Sequence, residues 1–150
     1  MSKIIQWNTQ SLYSHVAVVV GVEMNLAIES NTGSQSGVRA LDLRKLDAKT
    51  VDAFRIKPQH AFKKEDVISY LIASLGSNYD YPGVIWLGAL KLLNLKEKAN
   101  EFQSSKDYFC SELVFEAFAA AGLDIVPQIG HADITSPGDI SRSPLLEKIE

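Results

Sequence analysis

The sequence predicts an α+β domain in which an antiparallel sheet packs against helices. Three observations carry this expectation. Short β-branched and apolar runs crowd the part of the chain before Pro58. From Val67 onward, apolar residues recur at helical spacing instead. Glycines at positions 21, 37, 76 and 122 fall at the joints between these segments.

The first strand signal is also the strongest: His15-Val16-Ala17-Val18-Val19-Val20, a β-branched run that ends at Gly21. A second apolar segment, residues 26 to 30, follows a few residues later, so the pair reads as an antiparallel hairpin turning between Gly21 and Asn25. Further strand signals lie at 37 to 43 and 52 to 57, the former set off by the glycine- and serine-containing loop Asn31 to Gly37. A helix is expected next, with Val67, Ile68, Leu71, Ile72 and Leu75 on one face and Gly76 as its stop. Pro82 suits the first turn of another helix, in which Val84, Ile85, Trp86, Leu87, Leu90 and Leu93 are apolar. The run around Cys110 opens a third. Leu113, Val114, Ala117, Phe118 and Ala121 keep helical spacing, Asp107 can cap the start, and Gly122 can end it in a left-handed turn. The last 25 or so residues contain three prolines and few periodic signals.

Cys110 is the only cysteine, and it stands at the mouth of that helix. Unpaired backbone N–H groups and the positive end of the helix dipole favour a thiolate there, which is how a nucleophile is prepared. On spacing alone the residue reads equally well as a small buried apolar side chain. A base distinguishes the two readings, and the chain holds three histidines. If the hairpin register centres near Val22, His15 lies opposite Glu29 on the same face. Glu29 would then orient the imidazole and stabilise its cationic form, leaving the other ring nitrogen for Cys110. A slip of one residue would move Glu29 to the opposite face, and His15 would then be an ordinary strand-edge histidine. His60, in a polar connector, reads as a surface residue, and His131, in a loop soon after the cysteine helix, is a weaker base candidate. No pair of histidines has metal-ligand spacing and the one cysteine has no partner, so no metal centre and no cofactor are expected.

With His15, Glu29 and Cys110 in that order, the chain resembles the permuted NlpC-type, papain-like cysteine hydrolases, in particular the YiiX and YebB-like branch. The resembling stretches run from Ser14 to Gly21, from Ala27 to Ser30 with Gly37-Val38, from Gly76 to Asp80, and from Tyr108 to Val114. The tail segment Ser136-Pro137-Gly138-Asp139-Ile140 fits as well, so the landmarks span nearly the whole chain. Ordinary papain-like enzymes place the cysteine helix before the sheet histidine; the permuted branch reverses this order, as here. The resemblance implies a circularly permuted papain-like (NlpC-type) fold and a cysteine peptidase or amidase. Cys110 would be its nucleophile, His15 its general base and Glu29 the orienting third member. It also implies that the Tyr79 hydroxyl points toward the forming oxyanion, although Gly76-x-x-Tyr79-Asp80 makes an ordinary turn equally well. The substrate expected is a peptide or a peptidoglycan-like stem peptide. Two other readings stay open: acyl transfer to or from lipid by the same thiol, as in relatives of the lecithin retinol acyltransferases, and a catalytically silent binding module.

At 150 residues and 46% hydrophobic, the chain suits a single domain spanning 1–150 that buries about two-thirds of its unfolded surface. The net charge of −3 is dispersed, which argues against nucleic acid and against a polybasic patch for anionic lipid. No stretch reaches the roughly 20 apolar residues of a membrane span, and the amino terminus lacks the apolar core of a signal peptide, so a cytosolic protein is expected, with export after removal of a leader as the alternative. A single free thiol fits a reducing compartment. The sequence carries no sign of oligomeric state.

Overall fold

The computed structural model describes residues 12–32, 36–78, 109–129 and 134–149. Within them the chain builds two antiparallel sheets and three α-helices, an α+β architecture. Strands β1 (Ala17–Gly21), β2 (Leu26–Asn31) and β3 (Gly37–Asp42) form one sheet in that order, with β2 in the centre. The expected hairpin is present. Its turn closes where Asn25 N–H donates to the Val22 carbonyl at 3.0 Å, and Asn25 adopts φ +53°, a conformation that asparagine tolerates better than most residues. A bulge between Val19 and Gly21 shifts the ladder by one residue next to the turn.

β4 (Ala53–Ile56) does not join that sheet. It pairs with β5 (Leu146–Ile149) in a separate two-stranded ribbon, Ala53 opposite Ile149 and Ile56 opposite Leu146. β5 carries no strand signal of its own: Leu-Glu-Lys-Ile is short, half charged and lacks a β-branched run. Its extended form comes from the partner strand, and Lys57 N–H prolongs the pairing by donating to the Leu145 carbonyl at 2.9 Å.

Helix α1 (Lys64–Ala73) starts with Glu65 and Asp66 in its first turn, where negative charge suits the dipole. Its buried face is narrower than the apolar pattern suggests. Val67, Leu71 and Ser74 are buried at i, i+4 and i+7, whereas Ile72 and Leu75 are 56% and 43% exposed. The expected apolar face therefore overstated the buried stripe. The helix that begins at Cys110 and the shared apolar cluster cover only a limited arc of α1, and Ile72 and Leu75 fall outside it. After the helix, Gly76 and Ser77 run against the start of β3. Gly76 N–H donates to the Val38 carbonyl at 2.9 Å and Val38 N–H donates to that of Ser77 at 2.8 Å. Gly37 makes this approach possible. It has φ +109°, and a Cβ there would lie 2.1 Å from the Ser77 carbonyl oxygen.

Helix α2 (Cys110–Ala120) starts at Cys110 with Phe109 in the cap position and ends before Gly122, as its sequence predicts for the stop. At its end, Gly122 (φ +78°) donates to the Ala119 carbonyl and Leu123 to that of Phe118, both at 2.9 Å, the pair of bonds of a Schellman stop. The helix is wedged between two apolar clusters. Leu113 and Ala117 pack with Ile28, Val38, Val67 and Leu71 under the larger sheet, while Val114 packs with Ile125, Val126 and Ile140 on the other side. Helix α3 (Pro137–Ser141), in the tail segment, has Ser136 as cap and Pro137 in its first turn. No helix among the described residues is long and apolar enough to cross a membrane. The expected helix after Pro82, the capping by Asp107, and Tyr79 and His131 lie outside the described residues.

Two glycine substitutions separate backbone strain from crowding. Gly122→Ala, with open space around the new methyl group, should cost about 1 kcal/mol of unfolding free energy for its left-handed backbone. Gly37→Ala adds the clash with Ser77 and should cost clearly more in the same urea titration; equal costs would show that the approach of Ser77 to β3 is not tight.

Candidate active site

The site assembles at the edge of the larger sheet, beginning with a buried acid. Ala27, Ile28, Glu29 and Ser30 are consecutive buried residues of β2, because a central strand is covered on both faces. Glu29 is only 2% exposed. A carboxylate in such a place needs donors, and four N–H groups surround it. His15 Nε2 lies 2.7 Å from Oε2. On Oε1 converge Arg39 Nε and Nη2, both at 2.9 Å, and Asn31 Nδ2 at 3.2 Å. Arg39 stands directly across the ladder from Glu29.

The His15–Glu29 pairing forms in a register two residues away from the expected one. Ala17, not His15, is opposite Glu29, and His15 precedes β1. A displacement of two preserves the face, since side chains alternate with period two, so the imidazole and the carboxylate meet diagonally. The diagonal span favours the distal ring nitrogen, Nε2, as the atom that reaches Glu29. Nδ1 is then left for the third group.

That group is Cys110, the first residue of α2, whose side chain acts on the imidazole. Several contacts hold this helix end in place. Phe109, the residue before it, is fully packed, and its N–H lies 3.4 Å from Glu112 Oε2 one turn on. Ser111 Oγ donates to the Thr135 carbonyl at 2.6 Å, which ties the first turn to the segment leading into α3. Ser136 and Asp139 cap α3 reciprocally, and Asp139 also takes Arg142 Nη2 at 2.9 Å. Cys110 itself is 3% exposed, whereas 34% of the His15 side chain meets solvent, so the site opens on the imidazole side.

Charge on one member holds charge on the next. Burial of the ring disfavours imidazolium, but hydrogen bonding and electrostatic interaction with Cys110 and Glu29 outweigh it and push His15 from 6.5 up to about 10. For Glu29, burial favours the neutral acid. The hydrogen bond and charge of His15 oppose it, followed by the bonds from Arg39 and Asn31, and bring the carboxyl from 4.5 down to about 2.

The structure thus brings together Cys110, His15 and Glu29 among the residues singled out from the sequence. Arg39 and Asn31 were not among them. Their signal was available only through pairing, since Arg39 becomes visible once β3 is laid against β2 in register. His60 closes a turn after β4, where its N–H donates to the Lys57 carbonyl at 3.0 Å. Among the described residues, no group of three or more His, Cys, Asp or Glu is arranged to hold a metal ion. No family model matches the chain, and no curated protein matches it either.

The raised histidine and lowered glutamate set a pH window. The His15 contribution to stability is complete below pH 6.5 and fades as pH rises toward 10; that of Glu29 is complete above 4.5 and fades as pH falls toward 2. Both therefore act fully between 4.5 and 6.5. NMR titration of the His15 ring should find its midpoint well above 6.5, and Glu29→Gln should bring it down by one unit or more; a midpoint near 6.5 in the unaltered protein would contradict the pairing.

Proposed function

We propose that this chain is a thiol-dependent hydrolase, a cysteine peptidase or amidase, with Cys110 as nucleophile, His15 as acid–base group and Glu29 as its orienting partner. The observation that carries the reading is the imidazole bridging a helix-start sulfur on one side and a buried carboxylate on the other. The chain order His15, Glu29, Cys110 agrees with the permuted NlpC-type, papain-like arrangement, and the α+β frame of sheet plus cysteine helix is compatible with it.

The chemistry follows from the residues. The Cys110 thiolate attacks the carbonyl carbon of an amide, and the carbonyl electrons move onto oxygen. The first N–H groups of a helix have no acceptor within it, so the Cys110 N–H is a donor for that oxyanion, with the Tyr79 hydroxyl as the second donor that the resemblance suggests. Collapse of the tetrahedral intermediate expels the amine, which takes its proton from His15, and leaves a thioester. The neutral imidazole then removes a proton from water, which attacks the thioester and releases the acid and the thiol. Throughout, Glu29 accepts from Nε2 and keeps Nδ1 turned to the sulfur.

Iodoacetamide should alkylate Cys110 rapidly at pH 6, where an ordinary thiol is nearly inert. His15→Ala should slow the reaction about a hundredfold, the order of the thiolate fraction that the imidazolium secures. Glu29→Gln should slow it less, about tenfold. A rate unchanged by His15→Ala would overturn the proposal. Turnover of peptide amides against phospholipid vesicles, with Cys110→Ser as the blank, then decides the substrate: cleavage of lipid alone would replace the amidase reading with acyl transfer.

A further inference from the structure

We infer that Arg39 is a positioning residue of this site: by taking up Oε1 of Glu29 with two N–H groups, it reserves Oε2 for His15 and keeps the buried carboxylate ionised. The inference rests on the proposed function for its meaning in catalysis, but on geometry for its substance. Arg39 Nε and Nη2 both lie 2.9 Å from the same carboxylate oxygen, while His15 Nε2 holds the other at 2.7 Å. A carboxylate with one oxygen gripped in this way cannot rotate to exchange its oxygens without breaking two charge-assisted hydrogen bonds. The placement is a consequence of sheet register. Glu29 and Arg39 are directly opposed on β2 and β3, on the face that also carries Ala17 and His15.

Charge makes the same point. The ionisable groups that face one another here are Glu29 from β2, Arg39 from β3, His15 from the segment before β1 and Cys110 from α2. The guanidinium forms an ion pair with a carboxylate whose side chain is only 3% exposed. Without Arg39, Glu29 loses two of its four N–H donors and the adjacent positive charge while still buried at 2% exposure. The carboxylate would then take up a proton more readily as pH falls, and the imidazolium would lose its anchor at that point. Arg39 acts through Glu29 and needs no contact with substrate for this role.

The test follows the Glu29 carboxyl carbon by 13C NMR during acid titration, alongside the pH profile of Cys110 alkylation. In Arg39→Met, the Glu29 midpoint should rise by one unit or more, and the acid limb of alkylation should move up with it. Arg39→Lys, which restores the charge but not the two-pronged grip, should recover only part of the shift. It also keeps the test alive if Arg39→Met does not fold. A Glu29 midpoint unchanged in a folded Arg39 variant would overturn the inference. The carboxyl titration is independent of nucleophilicity: if alkylation is slow and insensitive to His15→Ala while Arg39→Met still moves Glu29, the enzyme reading fails and the positioning role stands.

Discussion

The arrangement of this protein turns on a carboxylate buried in a central strand. Glu29 occupies a position where neighbours on both sides in sequence are buried, and no apolar environment accepts an isolated carboxylate. Its oxygens must therefore be met by donors, and those donors come from three places: the segment before β1, the next residue but one on β2, and the facing strand β3. The requirement ties the strands together through their side chains as well as through the ladder. It also explains why a histidine outside the strand proper is held in a defined orientation: the carboxylate that needs donors is the one that fixes Nε2.

Cys110 reaches the imidazole because of how α2 is supported. The helix belongs to both apolar clusters, with Leu113 and Ala117 against the larger sheet and Val114 against the side formed with Ile125, Val126 and Ile140. An element held on two faces has little freedom to slide. Its first turn is further restrained by Glu112 reaching back to Phe109 N–H and by Ser111 bonded to Thr135. These contacts convert a general property of helix starts, their excess of N–H groups and positive potential, into a located one. Packing energy is thereby linked to chemistry: the same burial that stabilises α2 aims its first residue at His15.

Much of this was legible along the chain. The β1–β2 hairpin, the strand at β3, the helices α1 and α2 and the stop at Gly122 all follow from period and turn residues, because each depends on neighbours a few positions away. The His15–Glu29 partnership was also legible, though in a register two residues from the observed one; the even displacement kept both on one face, whereas an odd one would have parted them. The errors lie where distant segments decide. β5 is extended because β4 borders it, β4 leaves the sheet of its predecessors, and Ile72 and Leu75 remain on the outer side of α1 because α2 and the shared apolar cluster cover only one arc of the helix.

Sequence alone determined the α+β class, the elements that bear the chemistry, and the three residue types whose combination suggests a nucleophile, a base and an orienting acid. Only the tertiary structure decided that the three meet, that Nε2 of His15 is the nitrogen that faces Glu29, and that Arg39 closes the carboxylate from the other side. The division has a physical cause. Local patterns record where the backbone turns and which face is apolar, but hydrogen bonds between residues far apart in the chain depend on register and packing, which arise when the segments come together.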